Sequence, residues 1–143
     1  RYLLVKDQRQ PWAAGWGLPG GGLQLGEAVM VGAARQAEEA CGLTATSLRW
    51  HPVPITAADA LVLSDGVDDC HYLVAQCFAW HGPAAEAIVP GGGATEFRWA
   101  TVGELASSIR HEGLQYSKLV VDVVRLAEEM IRSGAMAKEP ASW

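Results

Sequence analysis

Leu18-Pro19-Gly20-Gly21-Gly22 runs into a stretch that carries Glu27, Arg35, Glu38 and Glu39 before Gly42. A glycine run permits a tight turn and a close backbone approach to a ligand. Carboxylates on one face of a helix can hold a hard divalent cation. A cation so held can neutralise charge and place a water, and a base can then deprotonate that water, which are the ingredients of metal-assisted hydrolysis. At about 100° per residue, positions 36, 39 and 40 fall within one narrow arc of a helix. That arc holds Gln36, Glu39 and Ala40, which amounts to one carboxylate. Glutamine keeps a carbonyl oxygen but has no charge and cannot act as a base. Alanine has no ligand atom. Glu38 lies about 160° from position 36 around the helix and reads as a solvated surface residue.

The stretch resembles the Nudix box, G-x5-E-x7-R-E-U-x-E-E-x-G-U with U a bulky aliphatic, the signature of enzymes that hydrolyse nucleoside diphosphates linked to another group. Gly21, Glu27, Arg35, Glu39, Gly42 and Leu43 fall on its fixed positions. Gln36 and Ala40 stand where the box has glutamates, and Ala37 is smaller than the usual aliphatic. The resemblance implies that Glu27 and Arg35 pair to fix the loop against the helix. It implies that Glu39 is a metal ligand and that a loop carbonyl, that of Gly20 here, can be another. Gly20, Gly21 and Gly22 are then the substrate loop; the family often supplies an extra acid from a later loop, for which Glu86 and Glu96 are candidates, but each reads first as a surface or strand-end glutamate. Trp16 matches the family's W-x-L-P-G-G and reads as packing. Trp12, in a polar loop near the cleft, is the candidate to stack on a base.

The resemblance implies an α/β fold, a Nudix-type α/β/α sandwich with a mixed sheet, over most of the chain. Glu96-Phe97-Arg98-Trp99 followed by Glu104-Leu105 is similar to the family's later E-x-x-W…E-L segment. Two readings of function stay open. In the first, the domain keeps the fold with catalysis lost or much reduced, and serves as a nucleotide-binding, structural or regulatory module in a larger assembly. In the second, it is an active hydrolase of nucleoside diphosphate derivatives with a rearranged magnesium or manganese site.

The elements that must position these residues follow from patterning. Residues 2–6 read as a buried strand and 7–14 as a loop. A helix is expected over 27–41, with Met30, Ala33, Ala34, Ala37 and Cys41 as an apolar stripe and Gly42 as its stop. A strand is expected within 44–56, an irregular connection over 57–69 with a turn at Ser64-Asp65-Gly66, and a strand over 72–80. Gly91 to Gly93 read as a flexible loop. A short strand at 96–99, a brief helix near 102–107, and a long helix over 116–132 stopped by Gly134 complete the series. Residues 1–134 form one domain and 135–143 a loose tail.

The chain has 143 residues, half of them hydrophobic, with 11 Lys plus Arg against 16 Asp plus Glu for a net charge of −5. That suits one core. It gives no electrostatic case for gripping a nucleic-acid backbone, and no apolar run reaches membrane-spanning length. Cys41, Cys70 and Cys77 form no CxxC pair and no ligand spacing with His51, His71, His81 and His111. A reducing intracellular compartment is expected, cytoplasmic, or organellar if a targeting segment was removed. The chain opens at Arg1 directly into a strand that the family usually precedes with another, so an upstream segment is expected.

Overall fold

The computed structural model describes residues 1–8, 15–62, 70–82, 87–112 and 117–143; for 60–62, 70, 108–112 and 117–118 the backbone alone is described. Strand β1 (Tyr2–Asp7) lies between β2 (Gly15–Gly17) and β7 (Ala94–Ala100), antiparallel to both. Its alternation sends successive side chains to opposite faces. Leu4 joins one core with Ala100, Leu105 of helix α2 (Val102–Glu112) and Val120, Val121, Val123 and Val124 of helix α3 (Ser117–Ser133). Val5 joins the other with Ala37, Ala40 and Cys41 of helix α1 (Val29–Cys41), Leu43, and Leu48 of strand β3 (Leu48–Trp50). The central sheet is therefore covered by α1 on one face and by α2 and α3 on the other. This is the α/β/α sandwich expected. Every strand pairing among the described residues is antiparallel, so the parallel pairing that a mixed sheet requires is not among them.

The remaining strands depart from the sequence expectation. Strand β4 (Thr56–Val62) occupies much of the stretch expected to be irregular, paired antiparallel with β5 (Cys70–Gln76). The strand expected over 72–80 is two strands, because after Gln76 the chain changes partner. Strand β6 (Ala79–His81) pairs with β3, not β4. Between the two ladders, Phe78 O accepts from His51 N at 2.9 Å and Gln76 O from Ile55 N at 2.8 Å. The two ladders, 48–50 with 79–81 and 56–62 with 70–76, thus follow one another along the same two segments, broken where Pro52 and Pro54 have no N–H to give the ladder. The turn expected at Ser64-Asp65-Gly66 lies outside the described residues.

Helix α1 starts later than expected, at Val29, and its Ala28 cap residue makes no side-chain capping bond. It ends at Gly42, in the left-handed region at φ 69°, whose N–H donates to Glu38 O at 2.8 Å while Leu43 N donates to Ala37 O at 3.4 Å. Helix α2 runs to Glu112, longer than expected. Its first turn is closed by Glu104, whose Oε2 accepts from Thr101 N at 2.6 Å and Thr101 Oγ1 at 2.9 Å. Past α3, Met136 is buried and its N–H donates to Met130 O at 3.0 Å. Residues 135–143, expected to be loose, are tied down at that point.

Candidate functional site

Helix α1 supplies Arg35, Gln36, Glu39 and Ala40, and the segment before it supplies the glycines and Glu27. Arg35 is the hub. Its Nε donates to Glu27 Oε1 at 2.7 Å and its Nη2 to Glu27 Oε2 at 2.8 Å, a two-pronged pair. Nη2 also donates to Gly22 O at 3.0 Å. Nη1 donates to both oxygens of Glu39, each at 3.2 Å, and to the Gln36 side-chain oxygen at 2.6 Å. A guanidinium has five N–H bonds and accepts none. Two go to Glu27 and one each to Gly22, Glu39 and Gln36, which accounts for all five. Such forked carboxylate pairs are the strong, geometry-fixing kind. Glu27 also accepts from Gln24 N at 2.9 Å. The hydrogen bond from Arg35, then that from Gln24, hold its carboxyl down at about 2, and the same pairing raises the Arg35 guanidinium. The Glu27–Arg35 pair that the box implies is present, and it ties the loop to the helix.

The three positions of the narrow arc have different environments. Gln36 is 7% exposed and Ala40 is 1% exposed, within the α1 core. The Glu39 side chain is 45% exposed and bound to Arg35. The Gln36 amide is oriented by its neighbours: the end facing the Arg35 guanidinium must be the oxygen, and the other end donates to Gly20 O at 3.2 Å. A Cβ placed on Gly21 would collide with that amide, so the loop rests on it. Gly20, Gly21 and Gly22 thus meet Gln36 or Arg35. Trp12 and Glu86 lie outside the described residues.

Glu96 is not brought to this group. It pairs with Lys6 Nζ at 3.1 Å and stands opposite Lys6 in the β1–β7 register. By alternation it shares a face with Leu4, the face that α3 covers, whereas α1 lies on the other. Trp16 packs against the α3 core, with the Arg98 guanidinium 4.5 Å above its ring. Two features escaped sequence reasoning. Gln36 read as a lost charge, yet it is a connector between loop and guanidinium. Gly91 to Gly93 read as a flexible loop, yet Gly91 N donates to Ala40 O at 3.1 Å and Val89 N to Cys41 O at 2.9 Å. A Cβ on Gly91 would stand 2.8 Å from Glu39 O. The glycine run itself was the available signal: backbone passes close to the end of the box helix there.

Among the described residues, the donor set does not fit the divalent metal that the box implies. Its one carboxylate on the arc is bound by Arg35, the Gly20 carbonyl is taken by an amide N–H, and Ala40 offers nothing. Among the described residues no group of three or more His, Cys, Asp or Glu side chains is arranged to hold a metal ion.

A glycine loop tied by a Glu–Arg fork to a helix, on one face of an α/β/α sandwich, defines a Nudix-type domain. The chain belongs to the NUDIX domain family, whose model matches residues 1–119. It is 32% identical over 102 residues to "Putative 8-oxo-dGTP diphosphatase 3" of two Mycobacterium tuberculosis strains, a match covering 71% of this chain. The chain spans 44% of the length of that relative. Among solved structures, it is similar to a C. elegans Ap4A hydrolase in a binary complex, with a TM-score of 0.66 at 17% identity, over 92% of this chain and 85% of that one. The M. smegmatis Nudix hydrolase RenU gives 0.60 at 20% identity, over 99% of this chain and 78% of that one. The NUDIX domain of Shewanella oneidensis NrtR, solved with ADP ribose, gives 0.57 at 17% identity, over 90% and 76%. At these identities the structures speak to the fold alone. No helix among the described residues is long and apolar enough to cross a membrane.

Proposed function

We propose that the hydrolytic power of this Nudix domain is lost or much reduced and that the domain acts as a binding or structural module. The observation that carries this reading is the occupancy of the box's own polar groups by one another. Arg35 has no N–H left for a phosphate. Glu39 is bound to Arg35, and the Gly20 carbonyl to Gln36. Losing a charged ligand and a candidate base each costs at least a few kcal/mol of transition-state stabilisation. A role in an assembly has its support in an exposed apolar margin beside the loop: Leu23, Leu25 and Val31.

The test is chromatographic detection of the nucleoside monophosphate formed from a panel including 8-oxo-dGTP, Ap4A and ADP-ribose, with magnesium or manganese. Turnover close to the buffer control is expected. Robust turnover that disappears in Glu39→Gln would refute the proposal. The second reading, an active diphosphohydrolase with a rearranged metal site, is favoured by the relative named as a diphosphatase at 32% identity. It would draw on Glu39, the Gly20 carbonyl and Glu86, since Glu96 faces away from α1 and is bound to Lys6.

A further inference from the structure

We propose that Gln36 is a neutral latch that seats the glycine loop on helix α1 without any cation, and that position 36 decides whether the seating of this loop depends on a divalent ion. The two ends of the amide meet opposite demands. Gly20 O, an acceptor, stands 3.2 Å from one end, and Arg35 Nη1, a donor, 2.6 Å from the other. A side-chain amide answers both at once, because it carries a donor and an acceptor on one carbon. A carboxylate of the same length answers Arg35 only. Its second oxygen would face the Gly20 carbonyl with no hydrogen between them, in a place only 7% exposed. Two oxygen acceptors at that distance are reconciled by a bound cation or by protonation.

The charge balance points the same way. Glu27 and Glu39 against Arg35 leave one net negative charge on the cluster as it stands. A glutamate at 36 would make it two, with the surplus beside a free carbonyl, which favours a hard cation. Loop and latch also fix one another sterically, since Gly21 has room for no Cβ beside the amide. This makes Gln36 a positioning residue for the loop. The inference shares with the proposed function its view of the donor set, but it is read out without catalysis, so either can fail alone.

The experiment is the backbone 1H–15N heteronuclear NOE of Gly20, Gly21 and Gly22 in the wild-type protein, Gln36→Glu and Gln36→Met. Each is measured in EDTA and again with MgCl2, with NaCl at matched ionic strength as the control. The wild-type loop is expected to be rigid in EDTA and unchanged by MgCl2. Gln36→Glu is expected to lose that rigidity in EDTA and regain it with MgCl2 but not NaCl. Gln36→Met, of similar length and without the hydrogen bonds, is expected to be loose under every condition. The proposal is overturned by a wild-type loop that stiffens with MgCl2, a Gln36→Glu loop that is rigid in EDTA or stays loose with MgCl2, or a rigid Gln36→Met loop. Should Gln36→Glu fail to fold, the wild-type and Gln36→Met measurements still decide whether the amide seats the loop without a cation.

Discussion

At the scale of single residues, Arg35 and its acceptors govern the region. Glu27 has the clearest pH signature, its carboxyl held at about 2 by the bond from Arg35 against an ordinary value of 4.5. A carboxyl depressed by folding stabilises the native state fully above its unfolded value and loses that contribution as pH falls through its folded value. Glu27→Gln is therefore expected to lower the urea midpoint at pH 7, and the gap to wild type is expected to close between about pH 4.5 and 2. Urea titrations at several pH values check this, and a gap that widens toward acid contradicts it. Ala40 carries a second prediction. Restoring the box with Ala40→Glu places a carboxyl where the side chain is 1% exposed among Val5, Cys41 and Leu43. The change is expected to cost roughly 4 kcal/mol, that of keeping a buried carboxyl protonated at neutral pH, measured as the loss in unfolding free energy. The Glu27–Arg35 fork was legible in the sequence because the box spacing carries it. The part played by Gln36 was not, because glutamine at that place says what charge is missing and nothing about which carbonyl its amide meets.

At the scale of elements, the end of α1 is where the fold holds the site in shape. Gly42 turns the chain at φ 69°, and the segment at 89–91 crosses behind it to bond the carbonyls of Cys41 and Ala40. Gly42→Ala forces a side chain into the left-handed region, at a cost of about 1–2 kcal/mol. Gly91→Ala is expected to disturb more than stability, since its Cβ would press on Glu39 O and displace the Gly91 N–H from Ala40. Backbone amide shifts at 39–42 moving in Gly91→Ala and staying put in Gly103→Ala, where a Cβ has space, would bear this out. Sequence patterning located α1, β1 and α3 because each has a marked apolar stripe or run. It missed β4 because Thr56-Ala57-Ala58-Asp59-Ala60 contains few strand formers. What makes that segment a strand is its ladder with β5, a long-range partner that local composition does not reveal. It fused β5 and β6 because the break between them is caused by prolines on the opposite strand.

At the scale of the whole molecule, the sandwich separates two chemistries. The α1 face of the central sheet carries the loop-helix group, and the α3 face carries Lys6, Glu96, Arg98 and Trp16 over a valine-rich core. Leu4, fully buried between β1 and α3, is the test of that core: Leu4→Ala is expected to cost about 3 kcal/mol, read from denaturant unfolding. The fold class could be read from the box and the order of elements. The assignment of Glu96 to the face away from α1 could not, because strand register decides it, and register appears only once β1 and β7 are paired.

One exposed carboxylate already bound to an arginine cannot hold a divalent ion. Calorimetric titration of MnCl2 into the nucleotide-free protein, alongside Glu39→Gln, measures this most directly. No saturable heat and superimposable traces are expected for the two proteins. Saturable uptake by the wild type that is abolished in Glu39→Gln would contradict it.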